Sequence, residues 1–311
     1  MEGGGVRGIG LVGSLEVLEE KGYQFRRIAG TSSGAIAASL LAAGYSAREL
    51  GQIIRSIDYR QFADESFIDR LGIPGKTLSL LFERGIYEGE YLYNFVKKLL
   101  ADRGIHTFKD LRLDNASDAQ SAYRLVVIAT DVTRGRLIRL PWDYADYGLD
   151  PDSQEVAAAV CASAAMPFYF EPTKLGDSFI VDGGIISNFP IWLFEKSRHD
   201  HNRDVPTFGI KTSAKPEALS NGRHLNATGN TFSYAIAVLR TILNAQDQIH
   251  LDDPCTLRRT MFIDTADIGS TEFSLTTEQQ ELLYNNGRKA AEKFLAHWNF
   301  NEFLDACAQK S

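Results

Sequence analysis

The chain has 311 residues, with 40 acidic and 33 basic side chains and a formal net charge of −7. This acidic balance argues against nucleic acid as a partner, because phosphate backbones attract basic surfaces. No apolar run approaches the roughly 20 residues of a membrane span, and no repeat or linker-like stretch divides the chain. We therefore expect one large α/β domain over residues 1–311, without a transmembrane segment.

A glycine-rich loop opens the chain. The run Gly3-Gly4-Gly5-Val6-Arg7-Gly8 precedes a predicted amphipathic helix over Ile9–Gly22. Bare backbone N–H groups at such a helix start can bind a phosphate, or a carbonyl oxygen that becomes an oxyanion. The spacing also fits G-x-G-x-x-G, but a dinucleotide site needs an acidic residue at the end of the second strand. Here that strand leads into a serine motif, which disfavours a nucleotide.

The serine motif is the pentapeptide Gly30-Thr31-Ser32-Ser33-Gly34, a G-x-S-x-G pattern. A short predicted strand over Tyr23–Ala29 precedes it, and a helix-forming run over Ala35–Ala43 follows. This order of strand, sharp turn and helix is typical of a nucleophile elbow, which presents a serine at the helix N-terminus. The flanking glycines relieve the strain of the turn and let the two elements pack closely. The sequence therefore predicts Ser32 as a catalytic nucleophile, against the alternative of a loop without chemistry.

An aspartate stands on a second glycine turn. Asp182-Gly183-Gly184 follows the short apolar strand Ser178–Val181. A carboxylate on such a bare turn can approach another side chain closely. The structural alternative is an Asx turn, in which the carboxylate bonds only its own backbone.

These three motifs, in this order, resemble those of the patatin-like phospholipases. The segment Ala162–Pro172, a small-residue helix end followed by prolines, resembles a fourth motif of the family. The resemblance runs from Gly3 to about Pro190, and we expect residues 200–311 to complete the same domain. It implies an α/β three-layer sandwich with a central, mostly parallel sheet flanked by helices.

The resemblance also implies a reaction. Ser32 would be the nucleophile and Asp182 the base of a Ser–Asp dyad that hydrolyses carboxylic esters through an acyl-enzyme. The substrate would be a phospholipid or a related glycerolipid, met in transient contact with a membrane surface, and no metal or cofactor would be needed.

The remaining motif residues would have supporting roles. The oxyanion hole is expected from the glycine loop, with amides of three glycines as donors and Arg7 bracing the loop or an anionic head group: Gly3, Gly4, Gly5, Arg7 and Gly8. The elbow and the aspartate turn would depend on the glycines Gly30, Gly34, Gly183 and Gly184.

One departure from the family concerns the start of the chain. The family places a strand directly before the glycine loop, inside the sheet, whereas only Met1 and Glu2 precede Gly3. We therefore expect this first strand to be missing, which would leave unpaired backbone on its neighbours.

The rival interpretation is an α/β-hydrolase triad in the order Ser, Asp, His. That fold places several strands before its elbow, whereas 31 residues precede Ser32. The histidines lie on predicted helices, in a polar loop or without partner motifs: His106, His199, His201, His224, His250 and His297. His199 and His201 give only a weak metal signal. The dyad is favoured.

The other elements alternate as in an α/β protein. Strands are predicted at Tyr123–Thr130, Arg136–Leu140, Pro206–Thr212 and Met261–Asp264, the first two forming a hairpin. Helices are predicted at Tyr91–Asp102, Ser153–Ser163, Pro190–Ser197, Thr231–Ile249 and Thr277–Trp298. The segment Ile68–Tyr87 is interpreted as core packing in preference to a lid or an acyl-binding flap.

The cysteines Cys161, Cys255 and Cys307 are odd in number and widely spaced. They predict no disulfide framework and a reducing, cytoplasmic compartment. Two functions stay open: a lipid acyl hydrolase, which is favoured, and a catalytically blocked lipid-binding or regulatory member of the same family. Ester hydrolysis distinguishes them.

Overall fold

The computed structural model describes residues 1–57, 89–194 except 115 and 117, 205–212, 234, 237–238, 241–242, and 253–308 except 271. The predicted core segment Ile68–Tyr87 lies outside the described residues, as does most of the predicted helix Thr231–Ile249. Four of the histidines also lie outside them: His199, His201, His224 and His250.

Helices and strands alternate along the described chain. The helices are α1 (Ile9–Glu20), α2 (Ser33–Ala42), α3 (Ala47–Ser56), α4 (Glu90–Ala101), α5 (Val156–Ala164), α6 (Gly184–Ser187), α7 (Pro254–Arg258), α8 (Thr277–Leu295) and α9 (Phe300–Ala308). The strands are β1 (Ile28–Thr31), β2 (Leu125–Asp131), β3 (Arg136–Leu140), β4 (Thr173–Leu175), β5 (Ser178–Asp182), β6 (Gly209–Lys211) and β7 (Thr260–Phe262). Short 3-10 turns include Gly5–Gly8, Trp142–Tyr147 and Ile191–Phe194.

The main sheet has five strands centred on β2. Strand β1 pairs with β2 in parallel. The other pairs are antiparallel: β3 with β2, β5 with β2, and β4 with β5. The α/β class is confirmed, but this sheet is mixed where the sequence predicts a mostly parallel one. For two of the antiparallel pairs the reason is local, because β2–β3 and β4–β5 are hairpins whose short turns allow only antiparallel pairing. The third, β2 with β5, joins strands that are distant in sequence.

The register brings the ends of β1 and β5 together. Val127 and Ile128 of β2 pair with both β1 and β3, and the next three residues pair with both β3 and β5. Because a strand has two edges, β1 and β5 must share the edge opposite β3. Thr31 ends β1 opposite Ile128, and Asp182 ends β5 opposite Ala129. The carboxyl ends of the two strands therefore meet at neighbouring positions along one edge.

The two faces of the sheet are covered differently. Successive side chains of β2 point to opposite faces: Leu125, Val127 and Ala129 join the large core formed with the helices. Val126 and Ile128 face a smaller cluster, which is covered by residues of the two 3-10 turns Trp142–Tyr147 and Ile191–Phe194. The sheet thus lies between two layers, in agreement with the predicted three-layer arrangement.

Helix α1 is buried in the large core and packs closely on α8. A Cβ atom on Gly13 would overlap the carbonyl oxygen of Tyr284, and one on Gly287 would overlap that of Gly10. The hydroxyl of Ser14 donates to the carbonyl of Gly287 at 2.8 Å. This close approach fixes α1, and with it the glycine loop that leads into α1.

The first residues of the chain lie between the two sheets. The amino group of Met1 donates to Ala29 at 2.7 Å, and the Met1 carbonyl accepts from Thr31 at 3.3 Å. On the other side, the N–H of Glu2 donates to Ile210 of β6 at 3.1 Å. Met1 and Glu2 therefore occupy the place, beside β1, where the family resemblance predicts the end of a strand.

Several predicted elements differ from the observed ones in length. Strand β3 matches its prediction, whereas β2, β6 and β7 are shorter than predicted. The predicted helix Pro190–Ser197 is a 3-10 turn over Ile191–Phe194 in its described part.

The prediction of no disulfide is wrong, because Cys255 and Cys307 are bonded, with their Cα atoms 5.8 Å apart. These residues are 52 positions apart in sequence, and only the packing of α7 on α9 brings them together. The cysteine count therefore gives no argument for a compartment.

Candidate active site

Ser32 lies on the predicted elbow between β1 and α2. Its backbone has φ 53° and ψ −125°, a region that non-glycine residues occupy only when the surrounding structure holds them there. The turn is tight, because a Cβ on Gly30 would overlap the carbonyl of Gly34. Gly34 in turn packs against the carbonyls of Met1 and Glu2. The sharp turn and the buried side chain of Ser32, at the start of α2, agree with the geometry of a nucleophile elbow.

Asp182 ends β5 and directs its carboxylate to Ser32. One carboxylate oxygen accepts the N–H of Gly184 at 2.8 Å, and the Ser32 side chain hydrogen-bonds to the same group. Burial raises the pKa of Asp182 to about 6, against 3.8 in water, and these two hydrogen bonds offset only part of the effect. The structure therefore joins a serine hydroxyl to a carboxylate that is more basic than an exposed one.

The end of α5 contacts both motifs. The hydroxyl of Ser163 accepts the N–H of Ser32 at 2.9 Å, and the carbonyl of Ala165 accepts the N–H of Asp182, also at 2.9 Å. The sequence indicates this segment only through its family resemblance. Nothing in the pattern of small residues says which backbone groups it binds.

The glycine loop lies beside the elbow and is held at several points. Gly3 exchanges two hydrogen bonds with Asn188: its N–H donates to the Asn188 carbonyl at 3.0 Å, and its carbonyl accepts from the Asn188 amide at 3.2 Å. The N–H of Gly4 donates to the hydroxyl of Ser33 at 3.1 Å. Gly5 has φ 54° and no room for a side chain, because a Cβ there would overlap the carbonyl of Ser270.

These contacts distinguish the three amides that the sequence proposes as oxyanion donors. The N–H of Gly3 is bonded to a backbone carbonyl, and that of Gly4 to a side chain that can rotate away. Within the described part of the chain, the N–H of Gly5 is bonded to no acceptor. Gly4 and Gly5 are therefore better donor candidates than Gly3. Gly8 packs with its Cα against the side chain of Ser33.

Arg7 and Glu2 connect the loop to the C-terminal part of the chain. The guanidinium of Arg7 donates to the carbonyl of Ile268 at 2.7 Å, a contact that braces the loop. Glu2 forms a fully buried ion pair with Lys211 and also accepts from the hydroxyl of Thr212 at 3.0 Å. Neither Lys211 nor Thr212 is suggested by a sequence motif, since Lys211 ends the short strand β6 and Thr212 follows it, both beyond the recognised region.

An apolar cavity opens beside Ser32. Its described lining includes side chains from α2, α3 and α4, among them Ile36, Ile53 and Phe95. Among all the described lining residues, only Ser32 and Ser33 have polar side chains. The hydroxyl of Ser32 therefore faces a space that fits a hydrocarbon chain better than a polar group.

A histidine triad finds no support among the described residues. His106 and His297 form no hydrogen bond to Ser32 or Asp182, and the carboxylate of Asp182 is bonded instead to Ser32 and Gly184. Within the described ranges no three His, Cys, Asp or Glu side chains group as metal ligands would. In the same part of the chain, no helix has the length and apolar character needed to cross a membrane.

Comparison with known proteins agrees with this site. Residues 1–194 match the family model of the patatin-like phospholipases. The chain belongs to this family. The matched region contains the glycine loop, the elbow and the aspartate turn, so the family predicted from those motifs is confirmed.

The relatives of this patatin-like chain include characterised and uncharacterised proteins. The uncharacterised protein YqhO of Bacillus subtilis is 37% identical over 305 residues, which cover 96% of this chain and 97% of YqhO. A cGAMP-activated phospholipase of Vibrio cholerae is 28% identical over 224 residues, 67% of this chain and 58% of that protein. The crystal structure of VipD from Legionella pneumophila shares the fold, with a TM-score of 0.52 at 19% identity, covering 95% of this chain and 66% of VipD. The family and its relatives support a hydrolase activity on lipid esters.

Proposed function

We propose that this chain is a lipid acyl hydrolase that uses Ser32 and Asp182 as a catalytic dyad. The observation that carries the proposal is the hydrogen bond between the Ser32 side chain and a buried carboxylate, at the wall of an apolar cavity. A serine hydroxyl is a weak nucleophile by itself, and a neighbouring base activates it.

In the proposed first step, the Ser32 oxygen attacks the ester carbonyl while its proton passes to Asp182. The carbonyl oxygen becomes an oxyanion, for which the N–H groups of Gly5 and Gly4 are the proposed donors. The C–O bond to the alcohol then breaks, and the proton on Asp182 is returned to the departing alkoxide. This leaves an acyl-enzyme on Ser32 and a free alcohol.

In the second step, water attacks the acyl-enzyme and gives up a proton to Asp182. The tetrahedral intermediate collapses, the free fatty acid leaves and the Ser32 oxygen regains the proton. A carboxylate with a pKa near 6 suits both steps, because it accepts a proton more readily than an exposed aspartate and still returns it.

The cavity supports an acyl chain as the part of the substrate bound next to Ser32. Phospholipids and related glycerolipids provide such chains at a membrane surface, and we propose transient contact with that surface. The side chains Ile36, Ile53 and Phe95 would contact the chain.

Hydrolysis of soluble p-nitrophenyl esters and of phospholipid vesicles tests the proposal. We expect Ser32→Ala and Asp182→Asn each to abolish both activities, with a double variant hardly worse than either single one, because the two residues act as a unit. Ser39→Ala is the matched control: Ser39 is fully buried on the same helix and donates only to Ile36 of its own helix. Substantial ester hydrolysis by Asp182→Asn would place the base elsewhere.

A second candidate function is lipid binding without turnover. It is favoured by the two predicted oxyanion amides whose N–H groups are bonded within the protein, to Asn188 and to Ser33. Vesicle binding by the wild type without release of fatty acid, and without reaction of Ser32 with a fluorophosphonate, would support this function over hydrolysis.

A further inference from the structure

Ser163 lies at the end of α5, and its side chain is fully buried. Its hydroxyl accepts the N–H of Ser32 at 2.9 Å and donates to the carbonyl of Ile128 at 2.5 Å. Ile128 is the residue of β2 that pairs with Thr31, immediately before Ser32. One hydroxyl therefore connects the backbone of the proposed nucleophile to the central strand.

The end of α5 also binds the backbone of the aspartate motif. The carbonyl of Ser163 accepts the N–H of Gly183 at 3.4 Å, and the carbonyl of Ala165 accepts that of Asp182 at 2.9 Å. The elbow and the aspartate turn come from distant parts of the sequence. At the end of α5 they are hydrogen-bonded to residues only two positions apart.

We propose that Ser163 is a positioning residue for the dyad: its hydroxyl holds the backbone of Ser32 in the strained conformation that directs the Ser32 oxygen to Asp182. This inference rests on the proposed function. Ser32 has a positive φ, and such a conformation persists only when its surroundings hold it. The bond from the Ser32 N–H to Ser163 is a side-chain contact that a single substitution can remove.

The role is separable from substrate binding. Ser163 is not among the residues that line the cavity, although the next residue, Ala164, is. Loss of the hydroxyl should therefore leave acyl binding intact and misplace the nucleophile. A misplacement of about 1 Å can cost on the order of a hundredfold in rate.

The test compares Ser163→Ala with Ser163→Thr, which keeps a hydroxyl, and with two controls. Ser14→Ala and Ser39→Ala remove equally buried hydroxyls that donate to Gly287 and to Ile36, away from the dyad. For Ser163→Ala we expect kcat on a soluble ester to fall by roughly 10- to 100-fold with KM within about twofold. Labelling of Ser32 by a fluorophosphonate should slow in parallel, whereas both controls should stay close to the wild type and Ser163→Thr should recover part of the lost rate.

Amide hydrogen exchange gives a readout that needs no activity. The Ser32 N–H should be protected in the wild type and exchange faster in folded Ser163→Ala, because its acceptor is the Ser163 hydroxyl. A folded Ser163→Ala protein with wild-type kcat and wild-type labelling overturns the inference, as does a loss no larger than that of Ser39→Ala. If Ser163→Ala does not fold, the comparison passes to Ser163→Cys, for which the same kcat, labelling and exchange results decide. A wild type that neither turns over nor reacts with the fluorophosphonate would overturn the proposed function, and the catalytic role of Ser163 with it.

Discussion

Replacing Asp182 by Asn should stabilise the fold at neutral pH while it removes activity. The carboxylate is buried, and loss of water around it raises its pKa to about 6, from 3.8 in water. Asparagine has the same shape and keeps an oxygen that can accept the N–H of Gly184, but it carries no charge. The substitution therefore removes a buried charge without opening a cavity.

The sign and size of the effect follow from linkage. Between these two pKa values the folded protein holds a proton on Asp182 that the unfolded chain has released, so the free energy of unfolding falls as pH rises through this window. The pKa lies about two pH units above its ordinary value, and each unit corresponds to about 1.4 kcal/mol. Ionisation of the buried carboxylate therefore lowers the free energy of unfolding by about 3 kcal/mol above pH 6. Because the asparagine amide must also leave water, we expect a gain of roughly 1–3 kcal/mol.

Urea unfolding of the wild type and Asp182→Asn, at several pH values between about 4 and about 8, measures this difference. Asp177→Asn, at an exposed turn beside β5, is the matched control and should have little effect at any pH. The gain should be largest at the alkaline end and vanish near the acid end. A variant no more stable than the wild type at about pH 8, or a gain that persists unchanged to about pH 4, would refute the desolvation argument.

Four further outcomes are expected. For the wild type, kcat/KM should fall about tenfold per pH unit below about pH 6, because Asp182 must be ionised to accept the Ser32 proton; a flat profile down to about pH 4 would contradict its role as base. Gly30→Ala should lower the free energy of unfolding by about 1–3 kcal/mol in denaturant, because the new Cβ overlaps the Gly34 carbonyl. Its control, Gly269→Ala, should stay near the wild type, because a Cβ there would meet nothing closer than 3.9 Å. Lys211→Met should cost about 3–5 kcal/mol of folding stability, because it removes the ion-pair partner of the buried Glu2 carboxylate. Lys97→Met, which breaks an exposed ion pair, should have a far smaller effect; equal effects would disprove the buried pair. Ile53→Trp should reduce hydrolysis of long-chain p-nitrophenyl esters far more than that of the acetate, because it fills the cavity, and an equal loss on both esters would argue against the cavity as the acyl site.

The local elements near the candidate site could be predicted because their causes are local. Glycines flank a serine between an apolar strand and an alanine-rich helix, and the structure has β1, the Ser32 turn and α2 in that order. The hairpin strand Arg136–Leu140 matches its prediction residue for residue, since a short turn after β2 leaves the chain no other pairing. Where a strand depends on long-range contacts, as at Gly209–Lys211, its predicted length is wrong.

The sequence by itself determined the family, the α/β class and the two residues of the proposed dyad, because these are written in short motifs with their own local geometry. Only the tertiary structure decided that β1 and β5 end on the same edge of β2, which sets Ser32 beside Asp182. It also decided the contact of Ser163 with Ser32, the Glu2–Lys211 pair and the disulfide between Cys255 and Cys307. These contacts join residues from 52 to 209 positions apart. No pattern in a single sequence specifies such pairs, because strand register and helix packing over the whole core determine which distant residues meet.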